Sequence, residues 1–542
     1  MVNNIKIEKC NNCTWELPFK EWNEHNGICP NCGHYRSVSA YSRINSLADG
    51  GIFKEWKIRK EPIKDIAGDG YIQKLASVKE KSYLNEAIVI GEISIARNPV
   101  AIGVMDVGFM MGSMGREVGE CVTTLFEKAV KKKLPVLLIC CSGGARIQEG
   151  LVSLMQMEKT AAAAKKHNDA GLLYISVLTN PTMGGVTASF AMLADVILAE
   201  KGAKIGFAGE RVIAQNMREK LSENFQTAEF QREHGFVDQV VSREKLLERI
   251  TIILKLHKRK RKKLFNQRKQ INCIYDFNVQ KKMRALERIK LVRAIERPTS
   301  KDYIEHLFED FFEICGDRLS GDDPAIIAGI CHFNGKPVTV IGHQKGKKSL
   351  EEAVYYNWGM ATPQGYRKAR RAMKQAEKFN RPIICFIDTI GADCRRKADE
   401  HGQSIAIAKI LQDMSALTVP ILSIVISEGA SGGALALGVG NEVWMLENAI
   451  YSIVTPEVYA SIRWKNNNKV QEAVDEMKLL SKELLEEGII DKVIPEMGQL
   501  TRNNMDDVCN CLEGEINNFL SKYCNYSKKK IVEQRNKRFR KY

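Results

Sequence analysis

The sequence predicts an α/β protein with two similar domains, which follow a small ribbon that carries four cysteines. Apolar runs typical of buried strands alternate with helical segments, and this alternation favours α/β architecture. The order found at residues 175–200, an apolar run followed by a Gly-Gly pair and a helix of small residues, recurs at residues 421–447. The ribbon is predicted by the spacing of Cys10, Cys13, Cys29 and Cys32.

The domain boundaries follow from changes in composition along the 542 residues. A chain of this length is expected to hold about three to four domain-sized units. We expect a ribbon at residues 1–40, a first α/β domain at 41–254, a basic linker at 255–282, a second α/β domain at 283–500 and a basic C-terminal tail at 501–542. Each α/β domain then contains one Gly-Gly pair.

The net charge of +16 is concentrated in two stretches. Residues 255–269 contain nine lysines and arginines and no acidic residue, and residues 527–542 form a second basic stretch. Such stretches are usually solvated linkers or tails. A non-enzymatic alternative is that the ribbon and the first basic stretch bind nucleic acid, which would make binding strongly dependent on salt.

No membrane segment or secretory leader is predicted. The N-terminal residues MVNNIKIEKC are polar, unlike the apolar centre of a leader. No apolar stretch reaches the roughly 18 residues that a transmembrane helix needs. We therefore expect the protein to work in the cytoplasm and not in a membrane.

Cys10, Cys13, Cys29 and Cys32 have the spacing C-x2-C-x15-C-x2-C. Each pair can lie on a tight turn, so the four thiolates can surround one Zn²⁺ ion tetrahedrally. A site closed by four thiolates has no open coordination position, and we therefore expect one zinc ion with a structural role. Four unrelated buried cysteines are the alternative, which this specific spacing disfavours.

Gly184-Gly185 and Gly432-Gly433 each lie between a predicted strand and a predicted helix. Glycine lets a ligand approach the backbone closely, and the N–H groups at the start of a helix are free to bind negative charge. The two pairs therefore predict two sites for an oxyanion. Tight packing of a helix on a strand is the alternative, since glycine permits that as well.

Residues 429–433 (GASGG) also fit the pattern G-x-S-x-G of a hydrolase nucleophile between a strand and a helix. In that class the catalytic histidine follows the serine along the chain. The last histidine of this sequence is His401, which precedes Ser431. A hydrolase of that type is therefore excluded.

Motifs in both halves resemble the carboxyltransferase component of bacterial acetyl-CoA carboxylase, with its β subunit first and its α subunit second. Besides the cysteine ribbon, the first half carries FMMGSMG at 109–115, SGGARIQEG at 142–150 and YISVLTNPTMGGVTASFAML at 174–193. The second half carries RPTSKDYI at 297–304, VIGHQKG at 340–346 and EGASGGALALGVG at 428–440. These motifs follow one another in the order of the family.

The resemblance implies two crotonase-like spiral domains of the ClpP/crotonase type that face each other. It also implies that carboxybiotin, carried on a separate protein, and acetyl-CoA give biotin and malonyl-CoA, the first committed step of fatty acid synthesis. Other acceptors such as propionyl-CoA, and a biotin-dependent acyl-CoA decarboxylase, stay open as alternatives.

Both halves of that reaction develop negative charge on an oxygen, which preorganised backbone N–H donors stabilise. The catalytic candidates are Gly184, Gly185, Gly432 and Gly433. Biotin itself can accept the methyl proton, so no protein side chain need act as a base.

The candidate substrate-binding residues are Ser142, Gly143, Gly144, Arg146 and Lys345. The first four lie in a segment that resembles the loop lining the acyl-CoA pocket, although a surface salt bridge is the alternative for Arg146. Lys345 lies in HQKGK at 343–347, which offers positive charge to a phosphate or a carboxylate. This segment is not a Walker loop, because Ile341 stands where the first glycine would be.

Two segments depart from the family pattern. Residues 386–395 read FIDTIGADCR where the α subunit usually reads FIDTPGAYPG, and residues 455–462 read TPEVYASI where it reads SPEGCASI. Both segments resemble the wall that faces biotin. The departures put the details of that pocket in doubt and leave both glycine pairs intact.

The partners follow from features that the sequence lacks. Lys478 lies in a helical segment rich in Glu, Lys and Leu, not in the hairpin of a biotin-attachment site, and no ATP-binding glycine loop is found. The chain is therefore expected to need a biotin carboxyl carrier protein and a biotin carboxylase. By analogy with the family we also expect a homodimer.

Overall fold

The computed structural model describes residues 7–58, 69–209, 213, 221–258, 284–346, 349–466, 468–496 and 498–542. The predicted basic linker from residue 259 onward, and Lys347 of the HQKGK segment, lie outside these residues. The chain divides into two compact units. The first unit comprises Met1–Glu233 and Val237–Leu254, and the second comprises His234–Phe236 and Lys255–Tyr542.

The described strands of the first unit are β1 (Ile7–Lys9), β2 (Glu16–Pro18), β3 (Phe53–Glu55), β4 (Ile88–Ile95), β5 (Asn98–Met105), β6 (Val136–Ser142), β7 (Tyr174–Met183), β8 (Val196–Glu200), β9 (Ile205–Gly206) and β10 (Gln239–Val241). Its described α-helices span Phe19–Glu24, Ala40–Leu47, Asp69–Ser82, Arg116–Lys132, Leu151–Asp169, Ala228–Glu233 and Leu246–Leu256.

In the first unit, β1 and β2 form the ribbon, and the other strands form one sheet in the order β10-β8-β7-β6-β5-β4-β3, with β9 paired to β7. The strands from β5 to β8 run parallel. All of β6 is buried, as parallel strands covered on both faces usually are. Because β6 and β7 are parallel neighbours, the loop after Ser142 and the Gly184-Gly185 pair meet at the same edge of the sheet.

The described strands of the second unit are β11 (Glu309–Glu313), β12 (Ile326–Phe333), β13 (Lys336–His343), β14 (Ile383–Thr389), β15 (Ile421–Ala430), β16 (Glu442–Leu446), β17 (Ile450–Ser452) and β18 (Lys492–Ile494). Its described α-helices span Ala285–Val292, Ser300–Leu307, Leu350–Tyr355, Pro363–Lys378, Arg396–Glu400, Gln403–Ala416, Ser431–Leu435, Pro456–Trp464, Val470–Glu476, Ser481–Glu486, Asp506–Tyr523 and Lys528–Phe539.

The second sheet has the order β11-β12-β13-β14-β15-β16-β18, with β17 paired to β15. This is the topology of the first sheet, so β14 corresponds to β6 and β15 corresponds to β7. The predicted α/β class and the predicted internal repeat are confirmed. No described helix is both long and apolar enough to span a bilayer.

The C-terminal basic stretch is folded, and the prediction of a solvated tail is wrong for residues 527–542. Helix Lys528–Phe539 buries Ile531 and Arg535. The guanidinium of Arg535 donates to the carbonyl oxygens of Met414, Leu417 and Val419 at 2.7–2.8 Å. The charge count of the segment could not reveal this packing, because its partners are carbonyl groups more than a hundred residues away.

Candidate active site and metal centre

The four cysteines of the ribbon lie together. Their Sγ atoms are all within 4.8 Å of one another. Cys10 Sγ is 3.7 Å from Cys32 Sγ, and Cys13 Sγ is 3.6 Å from Cys29 Sγ. Four sulfurs bound tetrahedrally at about 2.3 Å from one zinc ion would be about 3.8 Å apart. The donor atoms and their spacing therefore fit the predicted four-thiolate site.

The ribbon is attached to the first sheet through a buried charge cluster around Glu200, the last residue of β8. Arg43 Nη1 donates to Glu200 Oε1 at 2.7 Å, and Arg243 Nη2 donates to Glu200 Oε2 at 2.9 Å. The same Arg243 donates to the ribbon carbonyl oxygens of Asn26 and Arg36. One carboxylate therefore orients the arginine that holds the ribbon.

The charge of Glu200 makes this attachment sensitive to acid. Burial alone would raise the pKa of Glu200, but Arg43 and Arg243 outweigh that effect and lower the pKa from 4.5 to about 2. A carboxyl group whose pKa is lower in the folded state stabilises the fold above pH 4.5, and this contribution is lost as the pH falls toward 2. A shift of this size corresponds to about 3 kcal/mol.

We therefore expect Glu200→Gln to lower the free energy of unfolding by about 3 kcal/mol at pH 7 and by progressively less below pH 4.5. Urea unfolding at a series of pH values measures the difference. Glu16, whose side chain is 50% exposed beside Lys9, offers the matched control Glu16→Gln, for which we expect little change at any pH. A difference between Glu200→Gln and the parent chain that does not depend on pH would contradict the explanation.

In the first unit only one amide of the Gly184-Gly185 pair is available to a ligand. Gly184 has a φ of +62°, and its N–H donates to the carbonyl oxygen of Phe207 at 2.9 Å. The N–H of Gly185 has no acceptor in the described part of the chain. Of the two N–H groups predicted to bind an oxyanion, only that of Gly185 therefore remains a candidate donor.

The loop after β6 lies directly against this glycine pair. A Cβ atom on Gly184 would be 3.0 Å from Cα of Gly144 and 4.0 Å from the amide nitrogen of Ala145. The N–H of Gly144 donates to Ser142 Oγ, and the N–H of Gly143 donates to the carbonyl oxygen of Met111. The N–H of Ala145 has no acceptor among the described residues. Ala145 thus offers a second N–H donor close to the Gly184-Gly185 pair, which the residue types did not reveal.

Arg146 is buried beneath that loop, with a side chain that is 0% exposed. Its guanidinium donates to Glu86 Oε1 at 2.6 Å, to Glu149 Oε1 at 3.1 Å and to the carbonyl oxygen of Ser113 at 2.9 Å. The alternative of a surface salt bridge is therefore wrong. These contacts place Arg146 under the loop as a support, and no part of its side chain reaches solvent.

In the second unit the short helix Ser431–Leu435 starts immediately at the end of β15. The first N–H groups of a helix have no acceptor within it, and no described residue outside the helix accepts from those of Gly432 and Gly433. A Cβ atom on Gly432 would meet nothing within 4 Å, whereas one on Gly433 would lie 2.4 Å from the amide nitrogen of Ala392. Gly432 is therefore open, and Gly433 packs against the loop after β14.

That loop repeats the loop after β6 in detail. Thr389 Oγ1 accepts from the N–H of Gly391 at 3.1 Å and donates to the carbonyl oxygen of Gly391 at 2.6 Å, as Ser142 does with Gly144. Gly391 has a φ of +147° and Gly144 one of +122°. Ala392 therefore corresponds to Ala145, and its N–H also has no acceptor among the described residues.

A cavity of about 670 Å³ adjoins the second glycine pair. It is lined by residues 390–394 and by Thr455 and Val458, which belong to the two segments that depart from the family pattern, and by Ser431. The structure thus brings together the two segments that the sequence analysis attributed to one wall. Its volume is in the range of ordinary ligand sites, which is about 300–1,000 Å³.

His343 ends β13, and Lys345 follows it beside β14. Lys345 Nζ is 2.6 Å from Asp388 Oδ1, and the side chain of Lys345 is only 12% exposed. His343 is fully buried, and burial lowers its pKa to about 3, so the ring is neutral. In the described part of the chain neither ring nitrogen is hydrogen-bonded to Ser431 or to Asp388. The G-x-S-x-G segment therefore has no histidine base in this structure either.

Comparison with known proteins shows what the chain resembles. The model of a family described as acetyl co-enzyme A carboxylase carboxyltransferase-like matches residues 237–542. A Natranaerobius thermophilus protein named acetyl-coenzyme A carboxylase carboxyl transferase subunits beta/alpha is 46% identical, over 99% of this chain and 90% of its own length. A Bacillus cereus protein named as the alpha subunit is 50% identical over 48% of this chain and 80% of its own length.

Among solved structures, a transcarboxylase 12S with methylmalonyl-coenzyme A and methylmalonic acid bound has a TM-score of 0.72 to this chain at 20% identity. The likeness covers 93% of this chain and 91% of that one. At this identity it shows the fold alone. It confirms the predicted class, two crotonase-like α/β domains, while the cysteine cluster agrees with the preceding ribbon.

Proposed function

Because the chain belongs to the family of acetyl-coenzyme A carboxylase carboxyl transferases with fused beta and alpha subunits, we propose that it transfers a carboxyl group from carboxybiotin to acetyl-CoA and so forms malonyl-CoA. The enzyme is a biotin-dependent transferase. The carboxybiotin is carried by a biotin carboxyl carrier protein and is made by a biotin carboxylase, and the three proteins work together in the cytoplasm.

The observation that carries this proposal is the duplicated arrangement of free backbone donors. Ala145 and Gly185 offer N–H groups in the first unit, and Ala392, Gly432 and Gly433 offer them in the second. A reaction with two developing oxyanions needs two such groups of donors. Each preorganised donor of this kind contributes about 3–4 kcal/mol to the stabilisation of the transition state.

We assign acetyl-CoA to the donors of the first unit, because the neighbouring segment SGGAR resembles the loop that lines the acyl-CoA pocket. Ser142, Gly143 and Gly144 then shape this loop, and Arg146 holds it from below. We assign carboxybiotin to the donors of the second unit, because the adjoining cavity is lined by both segments that resemble the wall facing biotin.

Carboxybiotin supplies the carboxyl group and, once that group has left, a base for the methyl proton of the acyl group. The chain's own residues stabilise charge. Ala145 and Gly185 donate to the thioester oxygen as the methyl group loses its proton, and Gly432 and Gly433 donate to the ureido oxygen. No side chain is needed as a base, which agrees with the pairing of Arg146 and with the neutral, buried His343.

The ribbon is proposed to hold one structural zinc ion on Cys10, Cys13, Cys29 and Cys32. Zinc bound by four thiolates stabilises a small domain that has little core of its own. Here the core consists of Trp22 and Leu17 packed on Cys10, Cys13 and Cys29. The metal has no role in the reaction itself.

We expect the variant Cys10→Ser/Cys13→Ser to lose one zinc ion per chain, because two thiolates do not hold the ion against competing water. Metal analysis of the purified protein measures this loss. Cys394, which is exposed and outside the cluster, offers the control Cys394→Ser with unchanged zinc content. Full retention of zinc by the double variant would refute the site.

A homodimer is proposed because apolar side chains are exposed around both groups of donors. Ile147, Leu151 and Phe207 of the first unit are 72–84% exposed, and Ile405, Ile453 and Ile462 of the second unit are 68–75% exposed. Apolar patches of this kind usually mark a protein interface. Light scattering is expected to give a mass twice that of one chain.

The function is tested with the purified chain, a carboxylated carrier protein, and acetyl-, propionyl- or butyryl-CoA. We expect malonyl-CoA as the main product, together with the reverse reaction, decarboxylation of malonyl-CoA in the presence of biotin. One extra methylene group changes the activation free energy by only about 1–3 kcal/mol. A higher rate with propionyl-CoA than with acetyl-CoA would therefore change the assigned substrate but not the reaction. Absence of transfer in both directions would overturn the proposal.

A further inference from the structure

Lys345 is held between carboxylates from two neighbouring strands. It follows the end of β13, while Asp388 and Glu428 lie near the ends of β14 and β15, the next two parallel strands of the sheet. Lys345 Nζ is 2.6 Å from Asp388 Oδ1 and 4.0 Å from Glu428 Oε2. The side chains of both carboxylates are at most 1% exposed. Three charged groups thus meet inside the protein.

Each carboxylate lies within three residues of a loop or helix start that forms the donor group of the second unit. Asp388 precedes Thr389–Gly391, and Glu428 stands three residues before Ser431. The two loops touch, because the Cβ position of Gly433 lies 2.4 Å from the amide nitrogen of Ala392. The N–H of Glu428 also donates to Asp388 Oδ1 at 3.4 Å, so the side chain of Asp388 links the ends of the two strands from which the loops start.

The carboxylates around Lys345 form a chain of ion pairs with two cations, Arg293 and Lys345. Arg293 Nη2 donates to Glu428 Oε1 at 2.7 Å and Arg293 Nη1 donates to Glu457 Oε1 at 2.6 Å, so Arg293 neutralises the outer carboxylates. Lys345 pairs with Asp388, the innermost one. Without Lys345, a buried carboxylate would lose a direct counterion and would repel Glu428, which is unfavourable inside a protein.

We propose that Lys345 is a positioning residue of the carboxyl transfer. It holds Asp388 and Glu428, and through them the two loops, at the separation at which Ala392, Gly432 and Gly433 donate to one oxygen atom. This role replaces the direct substrate contact expected from the sequence. It rests on the proposed function, and it predicts a loss in kcat that depends on the charge of Asp388.

The test compares Lys345→Met with the double variant Lys345→Met/Asp388→Asn. A displacement of about 1 Å in a site of this kind lowers the rate about 100-fold, and we expect Lys345→Met to lower kcat by that factor with less than about a twofold change in KM for the carboxylated carrier protein, whose carboxybiotin binds in the same unit. The double variant removes the negative charge of Asp388 together with the positive charge of Lys345, and we expect it to recover kcat at least about tenfold. Lys478→Met, at an exposed ion pair with Glu487, is the matched control with unchanged kinetics.

The outcomes separate the two proposals. If the wild-type chain forms no malonyl-CoA, the proposed function is overturned, and the role of Lys345 in that reaction is overturned with it. If the wild type is active and the double variant is as slow as Lys345→Met, or if the loss falls on KM, Lys345 contacts a substrate and its positioning role is overturned. If Lys345→Met does not fold by circular dichroism, an active double variant supports the role, and a double variant that also fails to fold refutes it.

Discussion

Replacing Arg146 with methionine is expected to lower the free energy of unfolding by about 3–5 kcal/mol and to reduce carboxyl transfer by about 100-fold or more. Arg146 is the counterion of Glu86 and Glu149, and all three side chains are at most 4% exposed. Methionine fills much of the same volume but leaves two carboxylates buried without that charge. Urea unfolding followed by circular dichroism measures the stability, and initial rates of malonyl-CoA formation measure the transfer.

The loss of activity is expected because the same network holds the loop after β6. Glu149 accepts from the N–H of Arg116 and from the hydroxyl group of Tyr71, both at 2.6 Å. Arg146 also donates to the carbonyl oxygen of Ser113. When Glu149 and Ser113 shift, we expect the N–H of Ala145 to move away from the Gly184-Gly185 pair.

Two further variants check this reasoning. Lys165→Met removes an exposed ion pair with Asp169, and we expect it to change the free energy of unfolding by less than about 1 kcal/mol. Adding Glu86→Gln to Arg146→Met is expected to restore part of the lost stability, since it removes one of the two unpaired carboxylates. If Arg146→Met itself lowers the free energy of unfolding by less than about 1 kcal/mol, other groups must compensate the buried charges of Glu86 and Glu149.

The features that the sequence predicted well are those set by local pattern. Apolar runs identify β6, β7, β14 and β15, and a Gly-Gly pair between such a run and a helix marks a close approach of backbones, because few other residues allow it. The cysteine spacing likewise predicted a cluster in space. In each case the residues that matter are close in sequence or belong to a recognisable repeat.

The roles of individual side chains were harder to predict from the sequence, because these roles depend on partners that are distant in sequence. Arg146 was a candidate for substrate contact or for a surface salt bridge, yet its partner Glu86 stands 60 residues earlier and the ion pair is buried. Lys345 was assigned similarly, and its partner Asp388 lies on the next parallel strand. A positive residue in a glycine-containing motif cannot by itself show whether it contacts an anionic substrate or neutralises a buried carboxylate.

The free amides of Ala145 and Ala392 were missed for a different reason. A backbone N–H donor carries no signature in residue type, since every residue except proline has one. A signal was nevertheless present: SGGA at 142–145 and TIGA at 389–392 both follow a buried strand at equivalent places in the repeat. Aligning the two halves on their glycine pairs would have placed these segments within one residue of each other.

Gly433→Ala is expected to lower kcat by about 100-fold, and more than Gly432→Ala does. A methyl group on Gly433 would lie 2.4 Å from the amide nitrogen of Ala392 and 2.5 Å from the carbonyl carbon of Gly391, and backbone atoms cannot move aside as a flexible side chain can. A methyl group on Gly432 would meet no atom of the chain within 4 Å. Steady-state rates of malonyl-CoA formation compare the two variants, with urea unfolding as the check on folding.

The comparison is informative because alanine keeps the backbone N–H at both positions. Loss of a donor therefore cannot explain a difference between the variants, which isolates the separation of the two loops as the cause. Equal rates would contradict the idea that the loops after β14 and β15 must touch. A larger loss for Gly432→Ala would instead place the substrate directly over Gly432. With the expected order, a single methyl group slows the reaction by moving Ala392 away from Gly432, although every donor is still present.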